Sequence, residues 1–169
     1  MAETFRIVPL SGEHDRSKFL SGSEELDRYF REQASQDIKR RIATCFVAVG
    51  DDSREVAGYY TLTATSVAMS ALAPEIVKKL PRYPVAPAVL LGRLAVARHY
   101  QGQGLGGILL ADALKRTSRA VLGLFAMLVD AKDEAAQCLY EHHGFTLLPV
   151  GERRLFLSIT AALQRLAAR

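Results

Sequence analysis

The sequence predicts a single-domain α/β protein, and three observations lead there. Segments of strand-like composition alternate with segments of helical spacing along most of the chain. One nearly apolar stretch, Ala88 to Val96, broken only by Gly92 and Arg93, reads as a buried central strand. The 169 residues, 49% hydrophobic and 24% charged, suit one core and exclude disordered, collagen-like and coiled-coil classes, so the expected domain is 1–169.

Phe5 to Leu10 alternates well enough for a short strand. Ser23 is an N-cap candidate before Leu26, Tyr29, Phe30 and Ala34, which share one helical face, and the helix is expected to run to about Arg40. Ala43 to Val49 and Val56 to Ala64 are rich in β-branched and aromatic residues, and Gly50 to Ser53 between them is turn chemistry, so they form a hairpin. Pro74 opens a short helix over Ala73 to Leu80 that Pro81 ends. After the central strand and a glycine-rich stretch, Leu109, Leu110, Ala113 and Leu114 mark a helix face. Leu124 to Val129 reads as a strand, Asp133 to His142 as a helix and Arg154 to Ile159 as a last strand. The order is βαββαβαβαβ, followed by a short amphipathic tail with Leu163 and Leu166.

The longest apolar run, Val121 to Val129, is far short of the roughly 20 residues that span a bilayer, and MAETFRIVPL holds no apolar signal core. No membrane association is expected, and a cytoplasmic location is. Cys45 and Cys138 fall in expected core elements without metal-ligand spacing, so both are read as reduced, buried thiols and no metal is expected. The 22 Lys and Arg against 18 Asp and Glu give a net charge of +4. That is compatible with a polyanionic partner, and the basic residues cluster at Lys39 to Arg41, at Lys78, Lys79 and Arg82, and at Lys115, Arg116 and Arg119.

The chemistry concentrates in Gln101-Gly102-Gln103-Gly104-Leu105-Gly106-Gly107. Glycines ahead of a helix leave backbone N–H groups uncovered, and the helix N-terminus adds about half a positive charge, so the segment can hold a phosphate or pyrophosphate. A nucleotide-triphosphate P-loop fails, because Ile108-Leu109 stands where Lys-Ser or Lys-Thr is required. Gly102, Gly104 and Gly107 fit the dinucleotide fingerprint, with Asp130 ending the next strand. Yet Ala97 to Gln101 separate them from the strand, and the roughly 40 residues after Asp130 are too few to complete such a sheet.

Gln101, Gly104 and Gly106 satisfy a third pattern, Q/R-x-x-G-x-G/A, and Leu139-Tyr140-Glu141-His142-His143-Gly144-Phe145 follows it with L-Y-x-x-x-G-F. In these two motifs the chain resembles the GCN5-related N-acetyltransferases, GNAT. The resemblance implies a mixed central sheet flanked by helices on both faces and acetyl-CoA as co-substrate. Phe19-Leu20-Ser21-Gly22, Leu26-Asp27-Arg28-Tyr29, Gln33-Ala34, Gln36-Asp37 and Gly92-Arg93-Leu94-Ala95-Val96 look more narrowly like the acetyltransferase toxins of bacterial toxin-antitoxin pairs. This implies acetylation of the α-amine of aminoacyl-tRNA, a block of translation and neutralisation by a ribbon-helix-helix antitoxin; a homodimer is allowed by it. The chain departs from the pattern at Ala97, where many relatives carry Asp, and at Asp133, where the wider superfamily often has Asn.

The residues suggest roles consistent with this. Backbone N–H groups of Leu94, Ala95 and Val96 would face the acyl carbonyl and pantetheine, and Gln101 to Gly107 the phosphates. Tyr140, with a phenol pKa ordinarily near 10, would donate a proton to the leaving sulfur, whose thiol has a pKa of roughly 8.5; the alternative is a core aromatic whose hydroxyl bonds to backbone. His142 and His143 fit surface or structural roles better than a base. The strand from Ala88 to Ala97 holds no Asp, Glu or His, which suits an α-amine of pKa about 7.7 to 8.0 better than a lysine near 10.4. Arg93, a charge inside an apolar strand, must pair or reach solvent; it is expected at the substrate mouth, touching the tRNA acceptor end, the alternative being a salt bridge to a carboxylate such as Asp130. Acetylation of a protein amine or small amine, or a non-catalytic acyl-CoA or RNA-binding module, are the alternative functions.

Overall fold

The structure, a computed structural model, describes residues 4–168. Its elements are β1 (Phe5–Pro9), α1 (Glu24–Glu32), α2 (Ala34–Lys39), β2 (Thr44–Gly50), β3 (Val56–Ala68), α3 (Pro74–Val77), β4 (Val85–Val96), α4 (Leu105–Ser118), β5 (Ala126–Asp130), α5 (Glu134–His142), β6 (Thr146–Leu147), β7 (Arg154–Ser158) and α6 (Ile159–Ala167). The strands form one sheet in the order β1-β2-β3-β4-β5-β7-β6. It is mixed: β4 and β5 are parallel, whereas β1 with β2, β2 with β3, and β7 with both β5 and β6 are antiparallel. The chain divides into two compact units, Met1–Thr63 with Gly92–Ala113, and Ala64–Leu91 with Leu114–Arg169.

In the first unit Ser23 caps α1 by accepting from the Leu26 N–H, and Glu24, Glu25 and Asp27 put negative charge in its first turn. The single helix expected to Arg40 is instead two, broken at Gln33. The reason lies in Tyr29, whose hydroxyl donates to Asp37 Oδ2 at 2.8 Å. Eight residues along one straight helix would hold their Cα atoms roughly 12 Å apart, so the chain folds back to make this bond. Phe30, Ala34, Val47, Val49 and Tyr59 bury fully in the core between these helices and the sheet. Side chains alternate across a strand, so Gly58 and Tyr60 point to the opposite face from Tyr59. There α4 lies: a Cβ on Gly58 would stand 2.9 Å from Leu109 Cδ1, and the Tyr60 hydroxyl bonds to Asp112. Helices therefore cover both faces of this part of the sheet.

In the second unit Val67, Leu72, Ala86, Ala88, Ala126, Leu128, Leu148 and Phe156 form the core. Strand β3 runs four residues beyond its expected end and β4 starts three residues early. Helix α3 is one turn with Pro74 at its start. The expected amphipathic tail is the helix α6, capped by Ser158, with Ile159 and Ala162 buried and Leu163 turned outward. The two cysteines are unpaired, and the expectation for them holds only in part. Cys45 is buried, which pushes its thiol up to about 12, whereas Cys138 is exposed on α5. Among the described residues no helix is long and apolar enough to cross a membrane, and no group of three or more His, Cys, Asp and Glu side chains is placed to hold a metal.

Candidate active site

The glycine segment leaves the end of β4, passes through a short 3-10 turn at Arg98–Tyr100 and enters α4 at Leu105. Gly102 and Gly104 take φ of +78° and +85°, in the left-handed region that glycine alone adopts without strain. A Cβ at either would meet nothing within 4 Å, so the space beside this backbone is open. Gly106 and Gly107, expected in the loop, are instead in the first turn of α4. The first turn of a helix leaves its N–H groups without intrahelical partners. Gly104, standing before it, has no side chain to cap them, and no acidic residue lies in that turn. Bare donors and open space fit a pyrophosphate.

Two of the expected cofactor residues have other tasks. The Gln101 Nε2 donates to the Ser21 carbonyl at 2.7 Å and to the Val96 carbonyl at 2.8 Å, and its backbone N–H to Arg98 O, so it fixes the loop. Leu105 is 2% exposed, packed under the sheet, and offers only backbone. Gln103 makes one long bond to His99 O. The brace continues inward. Ser21 donates through both N–H and Oγ to Asp27, a carboxylate 1% exposed, and Arg98 N–H reaches Leu20 O at 2.8 Å. The Phe19-to-Gly22 and Leu26-to-Tyr29 segments thus support the loop from beneath.

At the end of β4, Ala97 N–H donates to Ala57 O at 2.8 Å. By the two-residue alternation of a strand, Ala95 N–H points the same way, toward β3. Leu94 and Val96 N–H point to the other edge, beyond the parallel ladder with β5, which runs from Ala88 to Leu91. Of the three expected donors, two are therefore aimed away from β3. Gly106 lies against these same residues, 3.9 Å from Leu94 Cδ2 and Val96 Cγ2 at its Cβ position. Gly58, which no spacing singled out, matters as much. Its missing side chain lets α4 approach β3, and a glycine inside a strand is the signal that marks such a contact.

In the second unit, Asp133 caps α5 by accepting from Ala136 N–H at 2.8 Å, which gives this departure from the family pattern a structural task. The helix ends with Phe145 N–H bonded to Tyr140 O and Gly144 N–H to Glu141 O, with Gly144 at φ +96°. This is a Schellman ending. It accounts for Gly144 and Phe145, whose ring meets Tyr140 edge-on at 5.6 Å. It does not account for the Tyr140 hydroxyl. Tyr29, Tyr59 and Tyr60 bond theirs to Asp37, Leu26 O and Asp112, whereas the Tyr140 hydroxyl bonds to none of the described residues. The expected alternative, a phenol satisfied by backbone, is therefore absent among the described residues. Burial pushes this phenol up from 10.0 to about 12, so it stays protonated at neutral pH.

Arg93 does not pair with Asp130, which Arg154 clamps with two bonds of 2.8 Å. Its guanidinium lies over the Tyr29 ring, 3.5 Å from the centroid. His142 is exposed, and its carbonyl accepts from Arg165.

Residues 41–147 match the model of the acetyltransferase (GNAT) domain. Among similar proteins, a tRNA-acetylating toxin of Mycobacterium tuberculosis strain H37Rv is 39% identical over 150 residues, 88% of each chain. The structure of AtaT complexed with acetyl-methionyl-tRNAfMet superposes with a TM-score of 0.88 at 31% identity, over 97% of this chain and 99% of that one. A tyrosine-to-phenylalanine mutant of AtaT, bound to the C-terminus of the antitoxin AtaR and acetyl-CoA, gives 0.81 at 26% identity, over 96% and 98%. With the glycine-led helix start and the Tyr140 turn both in the matched span, the chain belongs to the GNAT acetyltransferase family.

Proposed function

We propose that the chain, acting over 1–169 as one N-acetyltransferase domain, moves an acetyl group from acetyl-CoA to the α-amine of an aminoacyl-tRNA and so blocks translation. The observation that carries this is the 39% identity, over nearly the whole chain, to a protein named a tRNA-acetylating toxin. The neighbours bound to acetyl-methionyl-tRNA and to an antitoxin with acetyl-CoA support the acceptor, the co-substrate and an antitoxin partner. We assign that antitoxin to the ribbon-helix-helix type and the enzyme to the cytoplasm, where its acceptor is.

Acetyl-CoA supplies an acetyl group activated as a thioester. Backbone N–H groups of Leu105, Gly106 and Gly107, with Gly102, Gln103 and Gly104 forming the open wall, hold its pyrophosphate, and Gln101 keeps that wall in place. Leu94 and Val96 offer N–H groups to the acyl carbonyl and the pantetheine, with Ala95 anchoring the strand between them. The attacking amine forms the new C–N bond as the C–S bond breaks. Tyr140 lends its hydroxyl proton to the departing sulfur, and the proton shed by the nitrogen restores it, so the products are an acetamide and a free thiol. A phenol near 12 is a steady hydrogen-bond donor and a weak acid, which favours this coupled exchange over a prior ionisation. Arg93 takes the acceptor end of the tRNA.

The test is incubation with labelled acetyl-CoA and total charged tRNA, with label expected on the α-amine of one or a few aminoacyl species. Reversing charge at Lys39, Lys78 or Lys115, in the cluster that meets the tRNA, should raise the KM for charged tRNA and flatten its salt dependence without changing cofactor affinity. High kcat/KM on a simple amine with none on charged tRNA defeats the proposal.

A further inference from the structure

Arg93 is built into the strand in a way that a surface cation is not. Its guanidinium lies flat on Tyr29 at 3.5 Å, and Tyr29 is itself 5% exposed and fixed at its far end by the bond to Asp37. The ring beneath Arg93 therefore cannot swing away. Arg93 is half-buried, and its guanidinium makes no hydrogen bond or ion pair with a described residue. Its charge is felt by Tyr29, Cys45 and Tyr59, none of which is a carboxylate. A planar cation with one face on an aromatic ring has a second face to offer, and guanidinium is hydrated weakly enough to be stacked upon.

The next residue down the strand sharpens this. Gly92 is exposed and has no side chain, so nothing of its own covers the backbone beside Arg93. A Cβ there would come within 3.2 Å of Thr61 Oγ1, a hydroxyl that is buried and has no partner among the described residues. Gly92 thus leaves the backbone next to Arg93 uncovered in a strand that is otherwise nearly all apolar side chains.

We infer that the free face of Arg93 stacks on the terminal adenine of the acceptor, forming a three-layer stack of Tyr29, Arg93 and base. This rests on the reading that aminoacyl-tRNA is the acceptor and names what holds its last nucleotide. A phosphate would be bound by the edge of the guanidinium, in the plane of its N–H groups. The flat seating on Tyr29 leaves a face, and faces take bases.

The experiment compares kcat/KM for an aminoacyl-adenosine and for the methyl ester of the same amino acid, in the wild type, R93K and Y29L, with charged tRNA run in parallel. In the wild type the adenosine ester should be preferred by roughly tenfold to a hundredfold, the range of one base stacked on a side chain. R93K keeps the charge and loses the plane, and should bring that ratio close to one while raising the KM for charged tRNA. Y29L removes the layer beneath and should lower the ratio in the same direction. Should Y29L prove unfolded, R93K alone decides. A wild type that acetylates charged tRNA yet treats the two esters alike, or a ratio in R93K equal to that of the wild type, overturns the stack alone. A wild type inert toward charged tRNA but active on other amines overturns the reading beneath it.

Discussion

The two compact units treat their buried phenols in opposite ways. In the first, Tyr29, Tyr59 and Tyr60 each commit the hydroxyl to an internal acceptor, and Gln101, Ser21 and Asp27 likewise use their polar groups to hold backbone in place. In the second, Tyr140 is held by packing against Phe145 and by the helix ending around it, and its hydroxyl is committed to nothing described. The Tyr140 hydroxyl makes no bond to a described residue and is not among the fully buried atoms, so its donor is open to a group from outside the fold. The three phenols of the first unit hold the fold together; the Tyr140 phenol of the second is left open.

Four substitutions test that contrast. The largest effect should come from Gly104→Val. It puts a branched side chain into the open space beside the loop and into a φ of +85°, and calorimetric titration should find no acetyl-CoA binding while the fold survives. Wild-type affinity would remove the phosphate role from the loop. Next, Tyr140→Phe should lower turnover by roughly 10²-fold or more at unchanged acetyl-CoA affinity. Tyr59→Phe should instead leave turnover alone and cost about 1 kcal/mol in denaturant unfolding. If the two variants behave alike, the contrast is lost. Gln101→Ala, which removes both bonds to Ser21 and Val96, should raise the KM for acetyl-CoA by roughly tenfold with kcat little changed. An unchanged KM would show that the loop holds its shape unaided.

A further effect is confined to alkaline pH. The Tyr140 phenol titrates at 10.0 unfolded and at about 12 folded, so its contribution is complete below pH 10 and is lost as pH rises through about 12. Tyr140→Phe should therefore lose less stability than the wild type over that window, by about 1–2 kcal/mol. Unfolding curves at pH 8 and pH 11 measure it, and equal losses in the two proteins would mean that burial does not shift this phenol.

Much of this was legible in the residues. Ser23, Pro74 and the run from Ala88 to Val96 identify their elements because capping, ring geometry and burial on both faces are local properties. The glycine run ahead of a helix is local in the same way, whereas Tyr140 is singled out only by the L-Y-x-x-x-G-F motif of the family resemblance. What escaped is tertiary. The break at Gln33 follows from Tyr29 reaching Asp37, a bond that apolar spacing cannot register. Gln101 reads as a phosphate donor until its amide is seen spanning Ser21 and Val96. Cys138 sits among Ala135, Ala136 and Leu139, an apolar stretch of α5 with no sequence mark for its outward side, so its exposure could not be inferred. The two residues of β6 are too few for any period to show.

The Gln101 brace also bears on timing. Because the loop is tied to Ser21 and Val96 within the folded chain, its conformational entropy is lost during folding and not on meeting a ligand. Binding then approaches the docking of a small molecule on a preformed cradle, with little ordering left to slow the encounter. Acyl-CoA analogues that share the nucleotide and differ in the acyl group should arrive at nearly the same rate, and discrimination among them should appear in how long each one stays.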